Sequence, residues 1–248
     1  MGIFLLGTGR PIRRPHRAGV LLGSVLLCLS LPAQAGKPYP FDSSGLIGDA
    51  SLMPDWAATM QRQRTEAVAL DACLDDELSC PSYYRGLRHL LLRAAELSPE
   101  RQISLINRYV NRKRYNRDRT RRMQTPLTET PVKYRSHWST VQEFMRGGGD
   151  CEDYATTKYY LLRRLGFPVD RLRVVVTYDR EVHGYHAVLA VRNDDDEVLL
   201  LESNNTIVRG RNHRYHFIYS VNEKSIWDHE AAAASASRDR HQQEETPA

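Results

Sequence analysis

The sequence contains little cysteine and, beyond one stretch near its N-terminus, no long apolar run. Four cysteines occur in 248 residues, and the apolar stretch from Ala18 to Leu31 is too short to span a bilayer comfortably. The sequence also shows no internal repeat. We therefore expect one domain with a sizeable core and no membrane insertion of the mature protein.

Neither acidic nor basic residues are in clear excess once the N-terminus is set aside. The whole chain has 35 Lys and Arg residues against 30 Asp and Glu residues. Removal of residues 1–35 would remove four arginines, Arg10, Arg13, Arg14 and Arg17, and no acidic residue. The remainder is nearly neutral, so the basic pI of the full chain does not indicate nucleic-acid binding, and we expect no nucleic-acid partner.

Residues 1–35 are typical of a secretory signal peptide. Arginines without any acidic residue come first, the apolar stretch follows, and Ala33-Gln34-Ala35 supplies the small residues that signal peptidase requires. We predict export to the periplasm, with a retained signal anchor as the alternative. One folded domain would then span residues 36–230, and the polar residues 231–248 are predicted to form a disordered tail.

Export would place the cysteines in an oxidising compartment, where disulfides can form. Cys28 leaves with the signal peptide, and Cys73 and Cys80 are close enough in sequence to close a small loop. Cys151 then has no partner. An unpaired cysteine in an exported protein is either a reactive thiol or a small buried hydrophobe.

Apolar periodicity divides the chain into a helical part and an extended part. The predicted helices are Pro54–Leu74, Tyr83–Leu97, one with Ser98 as N-cap and Pro99 at its first position, Ser139–Met145, and one from Asp150 as N-cap to Gly166. The predicted strands are Leu172–Tyr178, Tyr185–Val191, Glu197–Leu201 and Phe217–Val221. This order predicts an α+β fold, with helices packed on an antiparallel sheet.

Cys151 lies in a setting that favours a reactive thiol. It follows Gly147-Gly148-Gly149 and the candidate N-cap Asp150, which places it in the first turn of a helix. The helix dipole is expected to lower the pKa of a thiol there, and the backbone N–H of Cys151 is available to stabilise an oxyanion. Cys151 is the candidate nucleophile, and a buried hydrophobe at a helix start is the alternative.

A nucleophilic cysteine needs a base, and His186 is the strongest candidate among nine histidines. It stands at the start of an apolar strand, where burial of an unpaired imidazole would be costly. His183 ranks second because it lies in the preceding loop. A core histidine with satisfied hydrogen bonds is the alternative interpretation.

The predicted hairpin offers three residues that could orient His186. Depending on where the turn is centred, Glu202, Ser203 or Asn204 lies opposite the histidine. A carboxylate or amide there would fix the tautomer and steady the imidazolium. Glu202, which corresponds to a turn centred on Asp194, is preferred because it closes the apolar run Val198–Leu201. A solvated carboxylate at the end of a strand is the alternative.

Three carboxylates crowd the start of the predicted nucleophile helix: Asp150, Glu152 and Asp153. The helix dipole explains one or two of them. A hard cation such as calcium, which binds oxygen ligands, would explain all three, although the spacing is not that of an EF-hand. From the residues alone, metal binding is the less favoured interpretation.

Several segments together resemble the LapG-type bacterial transglutaminase-like cysteine proteinases. The similar segments are Ile106–Asn111, Trp138–Thr140, Gly148–Ala155, His186–Leu189 and Tyr219–Glu223. They occur in the family's order, and the likeness runs from about Met53 to His229. The resemblance implies a papain/transglutaminase-like core over residues 36–230 and a cysteine protease activity.

The resemblance also implies a biological role and a set of site residues. LapG-type enzymes are calcium-dependent periplasmic proteases that cut the N-terminal region of large surface adhesins and so disperse biofilms. An inner-membrane cyclic-di-GMP receptor sequesters them. The resemblance places the nucleophile at Cys151 and the base at His186, and it places calcium ligands at Asp150, Glu152 and Asp153.

Two departures from the family pattern leave details open. Glu202-Ser203 stands where the family usually has Asp-Asn, so Glu202, Ser203 and Asn204 all stay candidates for the third catalytic residue. The arginine-rich segment 116–133 also differs, so partner recognition can differ. Acyl transfer to an amine, or a degenerate module that binds an adhesin or receptor without catalysis, are the alternative functions.

Overall fold

Helices occupy the first two thirds of the described chain. The computed structural model describes residues 38–42, 45–117, 137–210 and 214–230, all of which belong to one unit. The helices in these ranges are α1 (Pro54–Asp75), α2 (Ser82–Ala95), α3 (Pro99–Val110), α4 (Val141–Gly147) and α5 (Cys151–Arg164). None of them is long and apolar enough to cross a bilayer.

Some of the predicted features lie outside the described residues. They are the signal peptide over residues 1–35, the tail over residues 231–248, and the arginine-rich segment from residue 118 onward to residue 133. The domain boundaries that depend on them stay predictions.

Local sequence signals explain where the helices begin. Pro54 and Pro99 stand in the first turns of α1 and α3, where the missing N–H of proline costs nothing. Thr140 caps α4 in a reciprocal capping box with Glu143. The predicted start at Ser139 is too early because the Ser139 N–H donates to the Asp153 carboxylate instead, at 2.7 Å.

A disulfide between Cys73 and Cys80 joins the end of α1 to the segment before α2. Both cysteines are buried. The Asp76 carboxylate accepts backbone N–H bonds from Leu78 and Ser79 inside the closed loop. The expected small loop is therefore present, and Cys151 is the free cysteine of the described residues.

Seven strands form one antiparallel sheet in the described part of the chain, in the order β1-β7-β6-β2-β3-β4-β5. They are β1 (Leu46–Asp49), β2 (Leu172–Asp179), β3 (Gly184–Arg192), β4 (Val198–Leu201), β5 (Ile207–Arg209), β6 (Tyr215–Val221) and β7 (Ser225–Asp228). The predicted α+β class is confirmed. Strands β1, β5 and β7 were not predicted, because each is short and shows no clear alternation.

Both faces of the sheet are buried. On one face, α5 packs against the central strands β2 and β3. Val174, Leu189 and Val191 face the helices in the main core. Val188 and Ala190 point to the opposite face, into a second cluster. Alternate residues of β3 are buried on opposite faces of the sheet, which explains why its sequence is a continuous apolar run. A shift of β3 by one residue would exchange the two buried sets.

Candidate active site

A glycine turn positions Cys151 as the first residue of α5. Gly148 has a φ of +73°, and a Cβ there would lie 2.0 Å from the carbonyl oxygen of Arg114. Only glycine fits this close approach. The N–H of Asn116 donates to the Gly149 carbonyl at 2.8 Å, so the turn is held against the chain that follows α3.

Asp153 ties the first turn of α5 to neighbouring backbone. Its carboxylate accepts from the Ser139 N–H at 2.7 Å and from the Asp150 N–H at 3.1 Å. The side chain is buried, and burial raises the pKa of Asp153 to about 6 against the opposing effect of the Ser139 bond. Asp153 thus braces the start of the nucleophile helix.

The Cys151 sulfur lies between a carboxylate and the sheet. Its thiol donates to the Glu152 carboxylate at 3.3 Å, and the Ala187 N–H of β3 donates to the sulfur. Burial, followed by the charge of Glu152, raises the pKa of the Cys151 thiol. The expectation of a lowered thiol pKa is therefore wrong for this arrangement, because desolvation and adjacent carboxylates outweigh the helix dipole.

Half-buried His186, on the strand that also carries Ala187, is bonded to buried Glu202. His186 lies near the start of β3, one residue before Ala187, and its Nε2 is 2.8 Å from Oε2 of Glu202. Glu202 is only 4% exposed. An ionised carboxylate accepts only, so Nε2–H donates and Nδ1 is left for other chemistry.

The strand register explains how Glu202 reaches the histidine. The ladder pairs Leu189 with Leu201 and Ala190 with Leu200, so the turn is centred one residue later than the Glu202 interpretation requires. That register argument was wrong, although the residue it favoured contacts His186. Strand β4 stops at Leu201, and Glu202 reaches His186 as a diagonal neighbour on the same face.

The other candidates lie elsewhere. Asn204 uses its side-chain oxygen to accept the Thr206 N–H at 3.1 Å within its own turn. His183 is exposed in the turn before β3, with a φ of +52°. Trp138, in one of the segments that resemble the family, is buried and packs edge-on against Trp56 at 5.6 Å.

Three residues that the sequence analysis did not assign to the site hold Glu202 in place. The Tyr215 hydroxyl donates to its second carboxylate oxygen. Its main-chain carbonyl accepts from Lys158 Nζ at 2.6 Å and from Asn111 Nδ2 at 2.8 Å. The position of Lys158 on the apolar face of α5 could have indicated a buried lysine with a specific partner. Nothing in the sequence connects Tyr215 with Glu202.

The acidic residues of the first turn suit a hard cation in donor chemistry, but they do not converge as a cluster. Within the described ranges, no three His, Cys, Asp or Glu side chains are arranged to hold a metal ion. Asp153 uses both oxygens for backbone N–H groups, and Glu152 faces the Cys151 sulfur. Calcium ligation by Asp150, Glu152 and Asp153 stays a prediction.

Comparison with solved structures finds similarity to LapG of Legionella pneumophila. Calcium-bound LapG is 26% identical, with a TM-score of 0.49 over 60% of this chain and 78% of that chain. EGTA-treated LapG is 27% identical, with a TM-score of 0.48 over 59% of this chain and 75% of that chain. A search of curated proteins finds no significant match.

Comparison with protein-family models identifies the family to which this chain belongs. The family model described as bacterial transglutaminase-like cysteine proteinase, BTLCP, matches residues 92–231, which include α3, the glycine turn, Cys151, and the strands carrying His186 and Glu202. A match over more than half of the 248 residues, with the free cysteine and the paired histidine inside it, shows that this chain belongs to the bacterial transglutaminase-like cysteine proteinase family.

Proposed function

We propose that this protein is a calcium-dependent periplasmic cysteine endopeptidase that cuts the N-terminal region of a large surface adhesin, releasing it and promoting biofilm dispersal. Family membership supports the protease activity. The observation that carries the proposal is the hydrogen bond between His186 and Glu202. The residue after His186 on β3 is Ala187, whose N–H donates to the Cys151 sulfur.

The proposed reaction is nucleophilic catalysis through a thioester. The Cys151 thiol passes its proton to His186 Nδ1 as the sulfur attacks the peptide carbonyl carbon. The Cys151 N–H, in the first helical turn where no intrahelical acceptor is available, stabilises the oxyanion. His186 then protonates the leaving amine, and water hydrolyses the thioester with His186 as the base.

Glu202 orients the imidazole in this scheme. Its bond to Nε2 selects the tautomer in which Nδ1 carries no proton and can act as the base, and its charge stabilises the imidazolium that forms during attack. Burial raises the pKa of the Cys151 thiol, and in this scheme His186 removes the thiol proton as the sulfur attacks.

Calcium would be held by carboxylate oxygens of Asp150 and Glu152, with Asp153 supporting the same turn. Calcium binds carboxylate, carbonyl and water oxygens, and here it would neutralise adjacent negative charges at the start of α5. Calcium-bound and EGTA-treated forms are known for Legionella pneumophila LapG; for this chain, calcium dependence rests on the donor chemistry of the turn.

The compartment and partners follow from the same proposal. A disulfide between Cys73 and Cys80 is typical of an oxidising compartment, and the signal-like residues 1–35 provide a route to the periplasm. We expect two protein partners: the adhesin substrate, and the periplasmic domain of an inner-membrane cyclic-di-GMP receptor that sequesters the protease.

The activity is tested with the purified N-terminal region of a large repeat adhesin from the same genome. Wild-type protein is expected to cut it into two products on a denaturing gel, whereas Cys151→Ala, verified as folded by circular dichroism, is expected to leave it intact. Cleavage that persists in Cys151→Ala would refute the proposal. Conjugation of a labelled amine instead of hydrolysis would indicate acyl transfer.

The calcium requirement is tested by binding as well as by activity. Calcium is expected to raise the thermal unfolding temperature of the wild-type protein above that in EGTA, and this increase should be lost in Asp150→Asn. Asp170→Asn, in the segment after α5 and away from the first turn, serves as the matched control. Equal unfolding temperatures with calcium and with EGTA would contradict the proposed calcium site.

A further inference from the structure

A groove between α2 and α3 carries positive charge from both helices. It encloses a cavity of about 490 Å³. Its rim includes His89 and Arg93 from α2, and Arg108 and Arg112 from α3 and the residues after it. His89 and Arg93 are four residues apart and so lie on one face of α2, whereas Arg112 lies two residues beyond the end of α3.

This groove has cations but no counter-charge in the described residues. No carboxylate lines the cavity, and neither Arg93, Arg108 nor Arg112 forms an ion pair within those ranges. Some arginines outside the groove form ion pairs, as Arg163 does with Glu223 and Arg214 does with Asp179. An anionic ligand in the groove would supply the counter-charge that Arg93, Arg108 and Arg112 lack.

The floor of the groove is apolar, which narrows the class of ligand. Leu90 and Leu105 are largely buried beneath it, and the ring of half-buried Tyr109 forms a wall. Gly86 leaves room for this ring, because a Cβ there would be 3.2 Å from the Tyr109 hydroxyl. An inorganic anion would use the rim alone, whereas a peptide with acidic and apolar side chains would use both rim and floor.

The geometry points to a docking site for an acidic, apolar-containing peptide segment of a partner protein in this groove. Guanidinium groups bind carboxylates through paired hydrogen bonds, and arginine and tyrosine are enriched at protein interfaces. Asn111, which precedes Arg112, holds the main chain of Glu202 at 2.8 Å, so the groove adjoins the frame of the active site. The inference concerns binding and does not depend on proteolysis.

The test uses fluorescence anisotropy with a fluorescein-labelled peptide of alternating glutamate and leucine. Wild-type protein is expected to bind it, with affinity falling as salt rises. The double variant Arg93→Glu/Arg108→Glu should weaken binding by about tenfold or more. Arg85→Glu/Arg101→Glu is the matched control, because it changes the same net charge on the same helices at exposed residues that do not line the groove.

Several results would overturn the inference. They are absence of wild-type binding, an equal loss in both double variants, and equal binding of a peptide in which lysine replaces glutamate. A labelled oligonucleotide that binds as tightly and loses binding in the same groove variant would reassign the groove to nucleic acid. Circular dichroism of both variants checks that the helices remain intact.

Discussion

Glu202 is held by four side chains, two acting on its carboxylate and two on its main chain. His186 and Tyr215 bond the two carboxylate oxygens, while Lys158 and Asn111 donate to the carbonyl. A glutamate has one more rotatable bond than an aspartate, and these contacts remove that freedom. The longer side chain can therefore present a fixed oxygen to the imidazole.

Tyr215→Phe is expected to lower kcat about tenfold and to leave KM within about twofold, because it removes one hydrogen bond to a buried carboxylate without altering the substrate surface. Cleavage kinetics on the adhesin fragment measure both constants. Tyr178→Phe on β2 is the control, with unchanged kinetics expected. A rise in KM at constant kcat in Tyr215→Phe would show that the hydroxyl does not act through Glu202.

Lys158 is expected to make stability rise with pH. Burial lowers its pKa from 10.5 to about 7 despite the opposing charge of Glu202, so between these values the unfolded chain binds more protons than the folded one. The free energy of unfolding must then increase as pH rises through this window. Urea unfolding from pH 7 to pH 10 should show a steeper rise for wild type than for Lys158→Met.

Exposed Lys224 provides the comparison for this pH effect. Lys224→Met should retain the wild-type slope of unfolding free energy against pH. If Lys158→Met and wild type have parallel profiles, the buried ammonium does not titrate in this window.

At the scale of elements, the glycine turn between α4 and α5 decides where the nucleophile stands. Gly147 ends α4, and Gly148 turns the chain with a positive φ against the backbone after α3. Asp153 then returns to bond Ser139 before α4 and Asp150 before α5. The turn and the carboxylate together fix the first turn of α5 relative to α4.

Gly148→Ala is expected to destabilise the protein by about 1–3 kcal/mol from its positive φ alone, with more from the contact 2.0 Å from the Arg114 carbonyl. Gly147→Ala is the matched control, since nothing lies within 4 Å of a Cβ there, and its effect should be small. Urea unfolding measures both variants. Equal stability of the two would show that the turn relaxes around a side chain.

Element types were predictable where the pattern was long. The helix from Cys151, its cap at Asp150 and the end at Gly166 follow from local signals, and the structure has Gly166 at a φ of +94°. Strands β5 and β7, with three and four residues, are too short to show an alternation of apolar and polar residues. Their pairing is set by neighbouring strands rather than by their own residues.

At the scale of the whole molecule, the disulfide fastens the N-terminal helices. Reduction is expected to lower the unfolding free energy by about 2 kcal/mol, because a short closed loop restricts the unfolded chain. Urea unfolding with and without dithiothreitol measures the difference. The double variant Cys73→Ala/Cys80→Ala should be less stable than oxidised wild type and unaffected by dithiothreitol. If dithiothreitol also destabilises that variant, its effect does not arise from reduction of this disulfide.

The sequence by itself determined the α+β order and the free Cys151 at a helix start, since these depend on periodicity, capping and cysteine pairing within short segments, whereas the role of His186 as the base stays a prediction. Only the tertiary structure decided that Glu202 contacts His186 through a shifted register, that Lys158 and Tyr215 hold it, and that desolvation and Glu152 raise the pKa of the Cys151 thiol. The physical reason is that register, burial and the approach of charges depend on residues distant in the chain, which no local pattern contains.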